Sequence, residues 1–200
     1  MIGNDVIDLE LAGSQSNWRR KGFLQKVFSP AEQEIITTST DEDKLVWLLW
    51  SMKEAAYKAH QREFQLPRRL NWLMQECSIL EMTSGNATGT IEIEGHLYSS
   101  SSEITSEYIH TSVEKIPASG FKNVILEGSS SAVKKLLITK VAEHFDVEPH
   151  ELQLKKDAQG MPFLSRKECI FLDRFSFSGH GRFSAYSLSL INCETSVKQS

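Results

Sequence analysis

The chain has 200 residues, of which 40% are apolar and 24% are charged. This length and composition are typical of a soluble globular protein with one domain or two small halves, long enough to bury a core. The 22 basic residues against 26 acidic ones give a formal net charge of −4, which argues against a general nucleic-acid binder. No stretch approaches the ~18 apolar residues of a membrane span.

The cysteines and the first residues indicate a cellular compartment. The three cysteines are widely separated and show no CxxC pairing, so neither a disulfide framework nor a zinc site is expected. They are Cys77, Cys169 and Cys193. The N-terminal residues have neither the basic flank nor the apolar run of a signal peptide. We therefore expect a cytoplasmic protein.

The first half of the chain is predicted to hold a strand, two helices and further strands. A short strand is expected over Ile2–Leu9. Ser29 is a natural N-cap, Pro30 suits the first helical position and Glu32 completes a capping box, which together predict a helix start. Apolar residues at three- and four-residue spacing predict the clearest helix, from about 43 to 60. Alternating apolar residues then predict strands. These strands are expected near 78–82, 90–94, 96–98 and 107–113, with the serines at 99–102 as a strand edge or loop.

The second half is predicted to begin with a connector over 117–131 that contains one short apolar run, 124–126. A second amphipathic helix follows, capped by the serines at 129–131. A turn at Gly160-Met161-Pro162 leads to a final strand pair, of which the second strand is 183–190. Each half thus combines a helix with antiparallel strands, which indicates an α+β fold with lobes at 1–116 and 117–200.

Two carboxylates interrupt the apolar first strand. Asp5 and Asp8 stand in the stretch G-N-D-V-I-D-L. A carboxylate inside such a strand is costly to bury unless it is paired or bound to a metal. The alternative is an exposed edge strand on which both acids are solvated.

An aromatic, an acidic and a basic residue recur at four-residue spacing in the clearest helix. Trp50, Glu54 and Lys58 would therefore lie on one helix face. The simple alternative is a surface Glu–Lys pair that contributes only a few tenths of a kcal/mol. Asp5 and Glu54 together would supply the hard oxygen ligands that Mg²⁺ prefers, and Lys53 with Lys58 would neutralise phosphates. Such a site suits metal-assisted chemistry on a diphosphate.

Three motifs in this order resemble the signatures of the 4′-phosphopantetheinyl transferase superfamily. They are G-N-D at 3–5, F-S-P-A-E at 28–32 and W-S-M-K-E-A-A-Y-K at 50–58. The resemblance implies two similar lobes, each with a long helix packed on a small antiparallel sheet. It also implies Mg²⁺ bound by Asp5 and Glu54, with Asp8 as a candidate third ligand. Lys58 would contact phosphate, and Glu32 is a candidate general base.

The second half resembles elements that precede the G-x-D strand in the two-lobed members of this family. The basic residues Lys134 and Lys135 resemble a basic helix, and the Gly160 to Pro162 turn resembles G-K-P. The stretch S-G-H-G at 178–181 resembles an S-H-x-G motif. Because these elements follow the Glu54 half here, the resemblance implies a circularly permuted transferase whose first and last strands are adjacent. The candidate coenzyme A contacts are Lys53, Lys58, Lys134, Lys135, Gly160, Pro162, Ser178 and His180.

Two positions depart from the family pattern. Met161 replaces the lysine of G-K-P, and Gly179 stands where the motif has its histidine. We expect His180, one residue later, to do the work of that histidine, because glycines on both sides of it permit unusual backbone conformations. The alternative is that His180 points to solvent at a hairpin turn. The other histidines show no metal-ligand spacing and are expected at the surface.

A basic run at Arg19, Arg20 and Lys21 has two interpretations. It is either a solvated surface or a docking site for an acidic carrier protein, since local basic charge can steer an acidic partner. The family resemblance implies a monomer of two lobes that uses coenzyme A and an apo acyl or peptidyl carrier protein. The charge balance and the lack of a long apolar stretch lead us to expect no nucleic-acid or membrane partner.

The resemblance implies a holo-acyl-carrier-protein synthase type of activity. Such an enzyme transfers the 4′-phosphopantetheine of coenzyme A to a carrier serine, with Mg²⁺, and releases adenosine 3′,5′-bisphosphate. One alternative is a non-catalytic module that binds coenzyme A or a carrier protein. Another is that the pair of Glu54 and Lys58 binds no ligand. Whether fatty-acid, polyketide or peptide synthesis is served stays open.

Overall fold

Helices and antiparallel sheets alternate along the chain in the computed structural model, which describes residues 1–69, 71–116 and 121–190. The α+β expectation is confirmed. Cys193 and part of the expected connector lie outside the described residues. The expected division at residue 116 falls between the fifth and sixth strands.

The first lobe is one five-stranded sheet crossed by a long helix. The strands run in the order β1-β5-β4-β3-β2, and every neighbouring pair is antiparallel. The elements are β1 (Ile2–Asp8), α1 (Leu9–Gln15), α2 (Phe23–Val27), α3 (Pro30–Thr37), α4 (Glu42–Phe64), β2 (Gln75–Met82), β3 (Asn86–Ile93), β4 (His96–Ile104) and β5 (Tyr108–Lys115). The apolar face of α4 packs on this sheet and forms the larger core.

The second lobe holds one helix and two three-stranded sheets, ordered β10-β11-β6 and β7-β8-β9. Its elements are β6 (Lys122–Glu127), α5 (Ser130–Phe145), β7 (Gln153–Lys156), β8 (Pro162–Arg166), β9 (Cys169–Leu172), β10 (Phe175–His180) and β11 (Phe183–Leu188). The apolar residues Val133, Leu137 and Val141 of α5 are buried in a separate core. Each lobe therefore has one long helix, α4 or α5, and a hydrophobic core of its own.

Close packing of β1 on α4 depends on a glycine. A Cβ atom at Gly3 would lie 2.0 Å from the carbonyl oxygen of Ala55 and 2.7 Å from the backbone nitrogen of Ala59. Only glycine permits this approach, and the small side chains of α4 contribute to it. The glycine of the G-N-D motif thus brings Asp5 next to the helix that carries Glu54.

The two lobes meet along β1. One edge of β1 pairs with β5, and the other edge lies beside β10. On that side, two backbone N–H groups of β1 donate hydrogen bonds to side chains of β10. The N–H of Asn4 donates to Ser176 Oγ at 3.1 Å, and the N–H of Asp8 donates to His180 Nδ1 at 3.0 Å. The start of the chain thus lies next to its last strands, although the circular permutation itself stays a prediction.

Several elements differ from those predicted. The α4 helix extends beyond the predicted limits at both ends, and the short helices α1 and α2 were not predicted. The expected connector contains β6, which pairs with β11. The serines at 99–102 lie in β4, between β3 and β5, and not at a sheet edge. The predicted capping box at Ser29 and Glu32 is confirmed, as is the serine cap of α5, at Ser129.

Candidate functional site

A cavity of about 320 Å³ opens at the junction of the two lobes. Asp5 of β1 and Glu54 of α4 line it from the first lobe. Gly179 and His180 of β10 line it from the second lobe. Because residues from both lobes line the same space, only the folded pair of lobes produces this site.

Asp5 is held by a lysine one helical turn beyond Glu54. The Lys58 ammonium lies 2.9 Å from Asp5 Oδ1 and also donates to the carbonyl oxygen of Asn4 at 2.9 Å. Burial raises the pKa of the Asp5 carboxyl, and the lowering effect of Lys58 does not cancel it. The charged form of Asp5 is therefore destabilised by burial, even with its lysine partner in place.

Glu54 shares this electrostatic environment. Burial is the main cause that raises its pKa to about 7, and the negative charge of Asp5 adds to it. Lys58 and Arg68 oppose this rise. Two carboxylates that line one cavity and both have raised pKa values will attract a further cation, because a cation stabilises both charged forms.

The residues present fit a magnesium ion. Asp5 and Glu54 offer hard oxygen donors, and Mg²⁺ is commonly bound by one or two carboxylates while water and substrate phosphates fill its other positions. Within the described ranges, no group of three or more acidic, histidine or cysteine side chains is assembled for a metal ion. The pair of carboxylates therefore suits an ion that the substrate's phosphates help to hold.

Asp8 does not line this cavity. Its carboxylate pairs with Arg182 of the turn between β10 and β11, and it also accepts from the first N–H groups of α1. The Arg182 guanidinium holds the pKa of Asp8 well below its usual range. Because both oxygens are engaged away from the cavity, we do not include Asp8 in the ligand set.

Lys53 and Glu32 lie in the core of the first lobe and not at the cavity. Lys53 is fully buried, with its ammonium 2.8 Å from Glu32 Oε2. It also donates to the carbonyl oxygens of Trp72 and Gln75. The Glu32 carboxylate accepts two backbone N–H groups. These positions differ from the expected phosphate contact at Lys53 and general base at Glu32, because the pair is closed off from solvent.

His180, the last residue of β10, lines the cavity. Its Nδ1 accepts the N–H of Asp8, so the neutral ring carries its proton on Nε2. Ser178, two residues earlier on the same strand, has a buried hydroxyl with no hydrogen-bond partner in the described part of the chain. The S-G-H-G stretch thus presents one oriented ring and one unpartnered hydroxyl close to β1.

The other expected coenzyme A contacts do not line the cavity. Lys134 and Lys135 lie near the start of α5, half-buried and exposed respectively. Gly160, with φ of +82°, forms the turn between β7 and β8. The carbonyl oxygen of Pro162 accepts from Arg62 Nη1 at 3.2 Å. In this structure, these four residues are separate from the carboxylate pair.

The basic run borders the site through an aromatic ring. Arg19 pairs with Asp43 at 2.8 Å, which neutralises much of its charge. The Arg20 guanidinium lies over the Phe23 ring at 5.2 Å, and Phe23 lines the cavity. Lys21 is exposed. Arg20 therefore lies beside a ring that lines the cavity, and Arg20 and Lys21 are the members of this run without an acidic partner among the ion pairs of the described residues.

Sequence reasoning missed the aromatic wall of the cavity. Phe23 and Trp47 line it together with Trp50. The Trp50 ring stacks on Phe23, with centroids 5.8 Å apart and planes at 12°, and contacts Trp72 at 4.2 Å. Trp47, three residues before Trp50 on α4, could have been found from helical spacing, whereas Phe23 carried no local signal.

Two histidines that were expected at the surface are buried. His110 is buried in β5, where its Nε2 lies 3.3 Å from Asn4 Nδ2, and burial lowers its pKa to about 4. His60 lies in α4, with its Nδ1 2.9 Å from the hydroxyl of Tyr98. The surface prediction was wrong for both, because polar partners inside the lobe satisfy their rings.

The family model of the 4′-phosphopantetheinyl transferase superfamily matches residues 1–113. This match covers more than half of the chain, and it includes the strand, the capped helix and α4 with their three motifs. The protein therefore belongs to the 4′-phosphopantetheinyl transferase superfamily, as the motifs indicated.

Two of the solved structures to which this chain is similar are holo-[acyl-carrier-protein] synthases. The Helicobacter pylori enzyme in complex with coenzyme A is 18% identical, with a TM-score of 0.43, over 57% of this chain and 99% of that one. The Thermotoga maritima enzyme is 12% identical, with a TM-score of 0.42, over 84% of this chain and 83% of that one. No curated protein sequence matches this chain. Among the described residues, no helix is long and apolar enough to cross a membrane.

Proposed function

We propose that this protein transfers the 4′-phosphopantetheine group of coenzyme A to a serine of an apo acyl or peptidyl carrier protein. One observation carries the proposal. Asp5, Glu54 and His180 line one cavity, although they come from different lobes. This combination suits a diphosphate that is held from both sides, and family membership supports the same reaction.

The residues of the chain have distinct roles in this proposal. Asp5 and Glu54 would hold Mg²⁺, which supplies Lewis-acid stabilisation of the diphosphate charge when it is bound. Lys58, whose side chain is 30% exposed and pairs with Asp5, can exchange Asp5 for a phosphate oxygen. His180 donates its Nε2 proton to a second phosphate oxygen. The cavity thus neutralises the diphosphate from both lobes.

The transfer exchanges one P–O bond for another. The serine oxygen bonds to the phosphorus that carries pantetheine, and the bond from that phosphorus to the bridging oxygen breaks. The bridging oxygen keeps the electron pair and leaves with adenosine 3′,5′-bisphosphate. Glu54 is the proposed acceptor for the serine proton, because it lines the same cavity.

The carrier protein is proposed to dock beside the cavity at Arg20 and Lys21. The Arg20 guanidinium lies over the Phe23 ring that lines the site, and the exposed Lys21 follows it in the chain. Local basic charge of this kind steers an acidic partner even when the whole chain is acidic. Arg20→Glu combined with Lys21→Glu should raise the KM for the carrier protein and leave the KM for coenzyme A unchanged. Equal KM values for the carrier in both proteins would contradict this docking site.

The proposed enzyme acts as a single chain. The two lobes, 1–116 and 117–200, would act as a single-chain pair in the cytoplasm, with the order of the lobes permuted. A cavity lined from both lobes of one chain needs no second copy. A monomer in analytical ultracentrifugation that is fully active supports this arrangement, while activity confined to an oligomer would contradict it.

The reaction is tested by mass spectrometry. The protein is incubated with coenzyme A, Mg²⁺ and a panel of apo carriers from fatty-acid, polyketide and peptide synthesis. A mass gain of one phosphopantetheine on a carrier supports the proposal, and a carrier whose serine is replaced by alanine should show none. Tight coenzyme A binding without any mass gain would instead support the alternative of a non-catalytic binding module.

A further inference from the structure

The turn between β10 and β11 carries an ion pair to the first lobe that the proposed reaction does not use. Arg182 Nε lies 3.0 Å from Asp8 Oδ2, and Arg182 Nη2 lies 3.1 Å from Asp8 Oδ1. The backbone N–H of Arg182 also donates to Asp8 Oδ2, at 2.9 Å. A two-pronged guanidinium–carboxylate pair fixes orientation as well as distance. The turn is therefore held in one position on the end of β1.

The Asp8 end of this pair is fixed equally well. Its side chain is only 2% exposed, and it also accepts the N–H groups of Glu10 and Leu11. Gly181 allows the close approach of the turn, because a Cβ atom there would lie 2.4 Å from Asp8 Oδ2. Its φ of +55° also favours glycine. Neither side of the contact can shift without a loss of hydrogen bonds.

Asp8 also holds His180 directly. Its backbone N–H donates to His180 Nδ1, while its carboxylate holds Arg182, two residues further along the same turn. One residue of the first lobe thus holds both the ring and the turn that carries it. This contact also sets the tautomer, with the proton on Nε2.

Arg182 itself is a poor phosphate ligand. Besides Asp8, its guanidinium lies 3.4 Å from a carboxylate oxygen of Glu10 and 3.6 Å from one of Glu107. Three carboxylates therefore surround its single charge. It is also absent from the cavity wall on which His180 lies. Any effect of Arg182 on a diphosphate must act through the residues that it positions.

We propose that Asp8 and Arg182 are positioning residues that hold the His180 ring in the cavity with its Nε2 proton free for a substrate phosphate. The identity of that substrate, the diphosphate of coenzyme A, rests on the proposed function. The placement of the ring rests only on the contacts between the lobes. The two parts can therefore be tested separately.

The first test compares two arginines of the second lobe. Arg166 pairs with Glu151 at 2.7 Å and its side chain is 31% exposed, against 37% for Arg182, so it is a matched control outside the cavity. Arg182→Gln should raise both the Kd and the KM for coenzyme A about tenfold, with kcat changed less than about twofold. Arg166→Gln should leave all three unchanged. Equal effects of the two substitutions would overturn the proposal.

A double substitution separates positioning from direct contact. In a His180→Ala background, Arg182→Gln should cause no further loss of coenzyme A affinity, because its effect acts through the ring that has been removed. A further loss of about tenfold would mean that Arg182 contacts the ligand itself, and would overturn its assignment as a positioning residue.

A third readout needs no substrate. Nitrogen-15 NMR of the His180 ring should show the Nε2-protonated tautomer in the wild type and a mixed or mobile ring in Arg182→Gln. Unchanged ring signals would overturn the proposal. If the wild type does not bind coenzyme A, the proposed function fails while this measurement still decides the placement of the ring. If Arg182→Gln does not fold, Asp8→Asn is measured in its place, with the same two outcomes.

Discussion

Lys53 and Glu54 are neighbours in α4, yet they belong to two very different regions. Lys53 faces the core, where it pairs with Glu32 and is fully buried. Glu54 lines the cavity together with Asp5, whose carboxylate pairs with the partly exposed Lys58. Lysine and glutamate side chains therefore stabilise the core on one side of α4 and line the candidate site on the other.

The difference lies in how completely each group of charges is satisfied. Lys53 and Glu32 match one charge with one charge, and each also bonds backbone groups. At the cavity, two carboxylates compete for one lysine, and the pKa values of both Asp5 and Glu54 are raised. A balanced buried pair holds elements together, whereas an unbalanced one attracts a ligand.

The largest expected effect is a loss of transfer activity when a carboxylate of the cavity is replaced. Asp5→Asn or Glu54→Gln should lower the transfer rate by about a thousandfold or more, because preorganised charge at the reacting group is lost. Stability should change by less than about 1 kcal/mol, since each substitution keeps the shape and removes repulsion between the carboxylates. The transfer assay and thermal unfolding measure the two effects. Retained transfer in either variant at saturating Mg²⁺ would refute the assignment of these residues.

Breaking the core pair should have the opposite outcome. Lys53→Met leaves the Glu32 carboxylate buried without its cation, so the free energy of unfolding should fall by about 3–5 kcal/mol. Adding Glu32→Gln should recover much of this loss. Urea denaturation measures both. Transfer per folded molecule should stay within about twofold of the wild type, and its disappearance in Glu32→Gln would restore Glu32 as a general base.

A smaller effect is expected from the second lobe's contribution to the cavity. His180→Ala removes one donor to a charged oxygen, which typically costs ~1.5–3 kcal/mol. The KM for coenzyme A should therefore rise about ten- to a hundredfold, with a smaller change in stability. Steady-state kinetics and thermal unfolding provide the comparison. An unchanged KM would show that the ring lines the cavity without binding substrate.

The smallest expected effect concerns acid stability. Arg182 depresses the pKa of Asp8 in the folded state, so this pair stabilises the fold fully above the unfolded-state pKa of about 4. As pH falls below that value, the unfolded chain takes up the proton first and the stabilisation declines. Asp8→Asn should thus cost ~1–3 kcal/mol at pH 7 and less at pH 3. An equal loss at both pH values in chemical denaturation would contradict this linkage.

Local signals predicted the parts of the fold that local interactions determine. The capping box at Ser29 and the periodicity of α4 were correct because neighbouring residues produce both. The strand β6 was missed because glycine and serine flank its short apolar run, and its partner β11 lies some sixty residues later. The serines of β4 were misjudged because polar side chains are buried there between strands.

The candidate site was predictable only in part, for the same reason. Helical spacing places Glu54 and Lys58 on one face of α4. It does not reveal that Lys53, on another face, forms a buried ion pair with Glu32. The contact of Asp8 with Arg182 joins residues at opposite ends of the chain, so no local pattern announces it. Because the sequence does not show that contact, Asp8 was interpreted as a candidate metal ligand.

The central claim is that coenzyme A binds where the two lobes meet. A crystal structure of the protein with coenzyme A and Mg²⁺ tests this most directly. The account predicts the diphosphate between Glu54 and His180, with Lys58 turned toward a phosphate oxygen. Density for coenzyme A at another cavity, such as the one of about 340 Å³ beside Glu143 and Arg166, with the Glu54 cavity empty, would contradict it.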